Sequence, residues 1–224
     1  MTTQMREEFR RELDALRESV LRMATQVESQ IDDALTAMRT RDAEKADLVR
    51  LNDQQLNELF RQIRERCFSV IATQAPVARD LRTLMGIIYI ATELERMGDY
   101  AVRIARMTTT LCGLPAVPLR AEFGLMGDAA IRQVHDILDA LIEQDEARAR
   151  EVAAKDDEID RLYHRVFDDL ISDMSSGEGV DPDEALRTVT LMLVAHNLER
   201  IADRVTNVAE DIVFLQTGQV VELG

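Results

Sequence analysis

Two short stretches hold the residues best suited to chemistry. ELERMGDYAVRIA, residues 93–105, and NLERIADRVTNVA, residues 197–209, each place a Glu and an Asp four apart: Glu95 with Asp99, and Glu199 with Asp203. Residues i and i+4 share one face of an α-helix, so each stretch sets two carboxylates side by side. A second pattern, D-x-x-[IL]-[DN], runs from Asp53 to Asn57 and from Asp156 to Asp160, again with oxygen-bearing side chains four apart. If the helices carrying the two patterns pack together, each pairing gathers four such side chains. Crowded carboxylates either rise in pKa or hold cations. Hard oxygen donors suit Mg²⁺, Mn²⁺ or iron, several can bridge more than one ion, and zinc recruited by a histidine also fits.

Ordinary ion pairing competes with that reading. With 42 acidic residues among 224, about eight acidic i,i+4 pairs arise from composition alone. Asp99 can reach Arg103, and Arg96 or Arg200 can turn toward a neighbouring acid. Recurrence is what sets these pairs apart. Glu199 and Asp203 stand 104 residues after Glu95 and Asp99, while Ile159, Leu162 and Val166 stand 103 after Leu56, Leu59 and Ile63. Six of fifteen positions are identical between residues 91–105 and 195–209, which supports an internal repeat.

The histidines add little. His164 follows Asp160 by four and His196 precedes Glu199 by three, so either can join a site, but a lone helical histidine is more often a surface or packing residue. His135 has no acidic repeat motif beside it. No Glu stands three residues before any His, so the Glu-x-x-His of ferritin-like di-iron bundles is not written here. Nor is there a Gly-rich phosphate loop, a nucleophile elbow or a Cys/His pair. No catalytic residue is assigned, and the chain is not expected to be an enzyme. A carboxylate-bridged metalloenzyme or a metal-binding helical scaffold is the alternative.

The elements that must position these acids are helices. Hydrophobic residues make up 46% and charged residues 31%, with only 9 Gly, 4 Pro and no Trp, too few turn residues for a strand-rich fold. The formal net charge of −15 argues against a nucleic-acid partner. Cys67 and Cys112 have neither knuckle nor CxxC spacing and read as reduced thiols. The charged start and the lack of a long uncharged run predict a cytoplasmic protein without membrane insertion.

Prolines at 76, 115, 118 and 182 mark three breaks. Before the first, Phe9, Leu13, Leu16, Val20, Met23, Val27, Ile31, Leu35 and Met38 follow one another at steps of three or four, one long amphipathic helix. Asp42 offers a cap for a second helix, whose stripe begins with Leu48 and Leu56. A third runs from Leu81 through Leu94 and Val102 to about Cys112. GLPAVPLR, residues 113–120, reads as a linker. The pattern then returns: a helix through Met126, Ile137 and Leu141, another from about Asp145 to Met174, and a last one opened by Asp181, Pro182 and Glu184 after the polar SSGEGVDPDE. The expected architecture is all-α, two tandem three-helix bundles of six long helices, over residues 1–112 and 121–224.

At these residues the chain resembles the PhoU family of phosphate-specific transport regulators. The resemblance spans nearly the whole chain: an MREEF start at Met5, P-x-x-x-D-L-R from Pro76 to Arg82, and L-E-R-[MI]-[GA]-D and D-x-x-[IL]-[DN] in both halves. It implies two similar three-helix bundles, a homodimer, and E-x-x-x-D motifs that bind metal. Glu95, Asp99, Glu199 and Asp203 would carry those motifs, with Asp53, Asn57, Asp156 and Asp160 facing them. Asn57 is uncharged where its repeat partner is Asp160, and Ala202 replaces Gly98. The implied role is negative regulation of the phosphate-starvation response, between the ATPase subunit of a phosphate ABC transporter and a phosphate-sensing histidine kinase. Such partners would hold the protein peripherally at the inner face of the membrane.

Overall fold

In the computed structural model the described backbone covers residues 3–175 and 181–224, with side chains for 6–174 and 181–224. Met5 and most of the expected turn before Asp181 therefore lie outside the described side chains. The elements are α1 (Thr3–Thr40), α2 (Ala43–Gln74), α3 (Arg79–Cys112), α4 (Ala121–Glu143), α5 (Glu146–Ala153), α6 (Asp156–Ser175) and α7 (Pro182–Thr217), with no strand among the described residues. The six-helix plan holds with one modification: the middle helix of the second half is divided at Ala154–Lys155 into α5 and α6.

Local chemistry explains the boundaries. Arg41 and Gln144, 103 residues apart, take the same left-handed conformation, with φ of 53° and 55°. Each is followed by a capping aspartate: Asp42 accepts from the Lys45 N–H at 2.9 Å and Asp145 from the Arg148 N–H at 3.0 Å. Asp181 caps α7 and Pro182 opens it. The break between α5 and α6 has a buried partner, because the Gln133 amide donates to the Lys155 carbonyl at 2.9 Å.

All nine stripe residues of α1 are buried. Two expected core positions are exposed: Leu48 by 57% and Leu81 by 37%. On α2 the inward face is begun instead by Ala46 and Val49, and a residue next to Val49 points about 100° away from it. Leu81 sits in the first turn of α3, ahead of the first buried position, Leu84.

Within each half three helical layers pack together, α1 with α2 and α3, and α4 with α5, α6 and α7. The halves join mainly through α3 and α7, with α1 against α4. Both pairings are antiparallel: Glu93 meets Arg204 and Asn207 while Met107 meets Asn197, and Glu28 meets His135 while Arg39 meets Gly124. Glu93 and Asn197 are repeat equivalents, so the halves are related as the subunits of a two-fold dimer are. Among the described residues no helix is long and apolar enough to cross a membrane.

Candidate functional site

The two middle–third helix grooves bring the predicted acids together. In the first half Asp53 and Asn57 project from α2 and Glu95 and Asp99 from α3. Close approach is set by Gly98: a Cβ there would lie 2.2 Å from Leu56 Cδ2. In the second half Ala202 carries the extra methyl, and Ile159, with its branch nearer the backbone, stands where Leu56 does. Small against long in one half and larger against β-branched in the other keep both pairs packed, with Ala202 and Ile159 buried.

Electrostatics mark both grooves. The Glu95 carboxyl is raised above its ordinary pKa by burial, then by Asp99 and Asp53, and Asp99 is raised by burial and Asp53. Asp53 accepts from the Gln30 amide at 3.2 Å and from Asn57 at 2.8 Å. The expected alternative partners are engaged elsewhere: Arg103 lies 5.0 Å over the Tyr100 ring and Arg96 pairs with Glu93 at 2.8 Å. Among the described residues Glu95 and Asp99 have no ion pair within 4.0 Å, so salt bridging does not account for them.

The second groove holds four carboxylates and more cations. Asp156 and Asp160 come from α6, Glu199 and Asp203 from α7. Burial and then Asp160, Asp203, Asp157 and Glu199 push Asp156 up to about 6. Asp156 Oδ1 is buried with no hydrogen-bond partner. His196 Nδ1 stands 3.0 Å from Glu199 Oε2, at ion-pair distance. Burial also raises Glu199, ahead of its neighbour Asp203. Asp203 pairs with Arg200 at 2.8 Å and approaches Arg204 at 3.8 Å. His164 lies against Tyr163, ring centroids 5.7 Å apart.

The donor set fits a hard cation, and one buried oxygen, Asp156 Oδ1, lacks a partner. As they stand, however, no three His, Cys, Asp or Glu side chains among the described residues converge closely enough to ligate one ion. Sequence reasoning missed Gln30 and Gln133, buried residues 103 apart whose amides reach the first groove and the start of the second. A glutamine at the same repeat position of both apolar stripes was the available signal. It also missed Glu28, which gives His135 a partner at 2.9 Å and raises its pKa.

Comparison with known proteins places the chain. Residues 20–108 and 123–212 each match the family model described as the PhoU domain. The Clostridium acetobutylicum phosphate-specific transport system accessory protein PhoU homolog is 35% identical over 96% of this chain and 97% of its own length. The Escherichia coli phosphate-specific transport system accessory protein PhoU is 32% identical over 95% of this chain and 86% of its own. The crystal structure of PhoU from Pseudomonas aeruginosa superposes with a TM-score of 0.88 at 33% identity, covering 94% of this chain and all of that one. With both halves matched and the fold shared end to end, this chain belongs to the PhoU family.

Proposed function

We propose that the protein is an accessory regulator of a phosphate-specific transport system, holding the phosphate-starvation response off when phosphate is plentiful. It does so between the transporter's ATPase subunit and a phosphate-sensing histidine kinase, from the cytoplasmic side of the membrane. The observation that carries this reading is kinship along the whole chain with proteins named as accessories of phosphate-specific transport. Deletion in the native host tests it: phosphate-responsive transcription is expected to become derepressed in phosphate-rich medium. A fully repressed response with normal phosphate uptake overturns it.

The two grooves belong to the same proposal as cation sites. Glu95, Asp99 and Asp53 in the first, with Asn57 as a neutral donor, and Glu199, Asp203, Asp156 and Asp160 in the second, would swing inward to share iron, manganese, magnesium or zinc. The unpartnered Asp156 oxygen and the absence of ion pairing at Glu95 and Asp99 support this. Bound cations would organise the faces offered to partners. Titration of metal-free protein with Mn²⁺, followed by calorimetry, should show binding that Glu199→Ala/Asp203→Ala weakens at least tenfold, about 1.4 kcal/mol. Unchanged binding returns the second groove to ion pairing. A homodimer is part of the proposal, and light scattering at the mass of one chain would remove it.

A further inference from the structure

Independently of the acidic grooves, a cleft of about 140 Å³ opens where the halves meet, between α1, α3, α4 and α7. Its floor is apolar, with Val20, Ile87, Ile90 and Leu215 among its residues, and Arg17 and Arg79 contribute cations to its lining. The volume is close to that of a cavity lined by Leu, Ile and Phe that takes up benzene, so it has room for one ring-sized group.

The internal repeat shows what fills such a place. Moving four of the lining residues to their equivalents leads to the opposite end of the α1–α4 pair, where each position carries a larger side chain. Val20 corresponds to Phe123, which is 1% exposed. Ile142 corresponds to Arg39, which donates to the Gly124 carbonyl at 3.3 Å. Gln144 corresponds to Arg41, which donates to the Leu111 and Leu114 carbonyls at 2.6 and 2.7 Å, and Thr83 to Arg187, which donates to Pro115 O at 3.1 Å. At that end a buried ring stands at the position equivalent to Val20, and the linker is held through its Leu114 and Pro115 carbonyls. At the cleft end the chain leaving α7 runs elsewhere: the Leu223 N–H donates to Glu210 at 2.9 Å and Leu223 packs on the core.

We propose that this cleft receives an extended acidic peptide segment of a partner protein, which seats one ring-sized apolar side chain over Val20. The peptide would occupy the position that the linker takes at the other end. Arg17, whose exposed contact with Asp14 is long at 3.6 Å, and Arg79 favour acidic flanks, although the chain as a whole carries a net charge of −15.

Methyl NMR of the whole protein tests this with the peptide acetyl-Glu-Phe-Pro-Glu-amide and a control with Ala in place of Phe. Saturable shifts are expected at Val20, Ile87 and Leu215, with the Ala peptide binding at least tenfold more weakly. Val20→Phe, copying Phe123 at the equivalent position, should abolish binding. Ile142→Arg, at a position 57% exposed and so free of packing strain, should weaken it severalfold while the helical signal and melting point stay unchanged. No saturable shift up to several millimolar, equal binding of both peptides, or full binding by both variants overturns the proposal.

Discussion

The carboxylates show how one residue type behaves differently according to its surroundings. Glu93, buried between the halves, accepts from Arg96, Arg204 and Asn207 and is fully supplied with donors. Asp211, one turn beyond Asn207, is pushed up to about 8 by burial and then by Glu93 and Glu210. It is therefore protonated in the folded protein at neutral pH, whereas in the unfolded chain it ionises near 3.8. Because the folded state holds that proton more tightly, its contribution falls as pH rises from about 4 to about 8 and is flat on either side. Asp211→Asn should match the wild type below pH 4 and exceed it by a few kcal/mol above pH 8. Melting curves at pH 4 and 8.5 check this, and equal gains at both would show that the group is not protonated as described.

At the scale of helices, small residues set how closely the grooves close. Gly98→Ala gains about 1 kcal/mol of helix propensity but drives a methyl into Leu56, an overpacking that typically costs about 1–3 kcal/mol. The clash is with a branched side chain held in a 1% exposed position, so it should prevail. Adding Leu56→Ile, which copies the Ile159–Ala202 pair, should recover most of the loss, and a double-mutant cycle in urea measures that coupling. Capping gives a matched pair of tests: Asp42→Ala and Asp145→Ala should each lower stability by about 1 kcal/mol in denaturant unfolding.

Over the whole molecule, a polar pin joins two apolar bundles. Glu93 and Arg204 are only 10% and 12% exposed at their side chains and lie 3.1 Å apart across the α3–α7 seam. Truncating one partner leaves the other charge buried, so Glu93→Ala should cost about 3–5 kcal/mol. The loss falls on the seam rather than on either core. Unfolding followed by circular dichroism should then broaden or separate into two steps, while wild type unfolds in one. A single sharp transition of unchanged midpoint would show that the apolar contacts alone unite the halves.

The sequence by itself determined the helices, the duplication and the candidate acids, because each is written in local spacing. The α1 stripe, the capping residues Asp42 and Asp181 and the offset pairs Glu95–Asp99 and Glu199–Asp203 depend only on neighbours within a few turns. Tertiary structure alone decided the rest, since partners far apart in sequence leave no periodic trace. It seated Leu48 in solvent, divided the fifth long helix beside Gln133, and bound Asp53 to Gln30. It also paired His135 with Glu28 and buried Phe123 while leaving a cleft beside its repeat equivalent, Val20. Each of these follows from how helices meet, and that geometry exists only after the halves have packed.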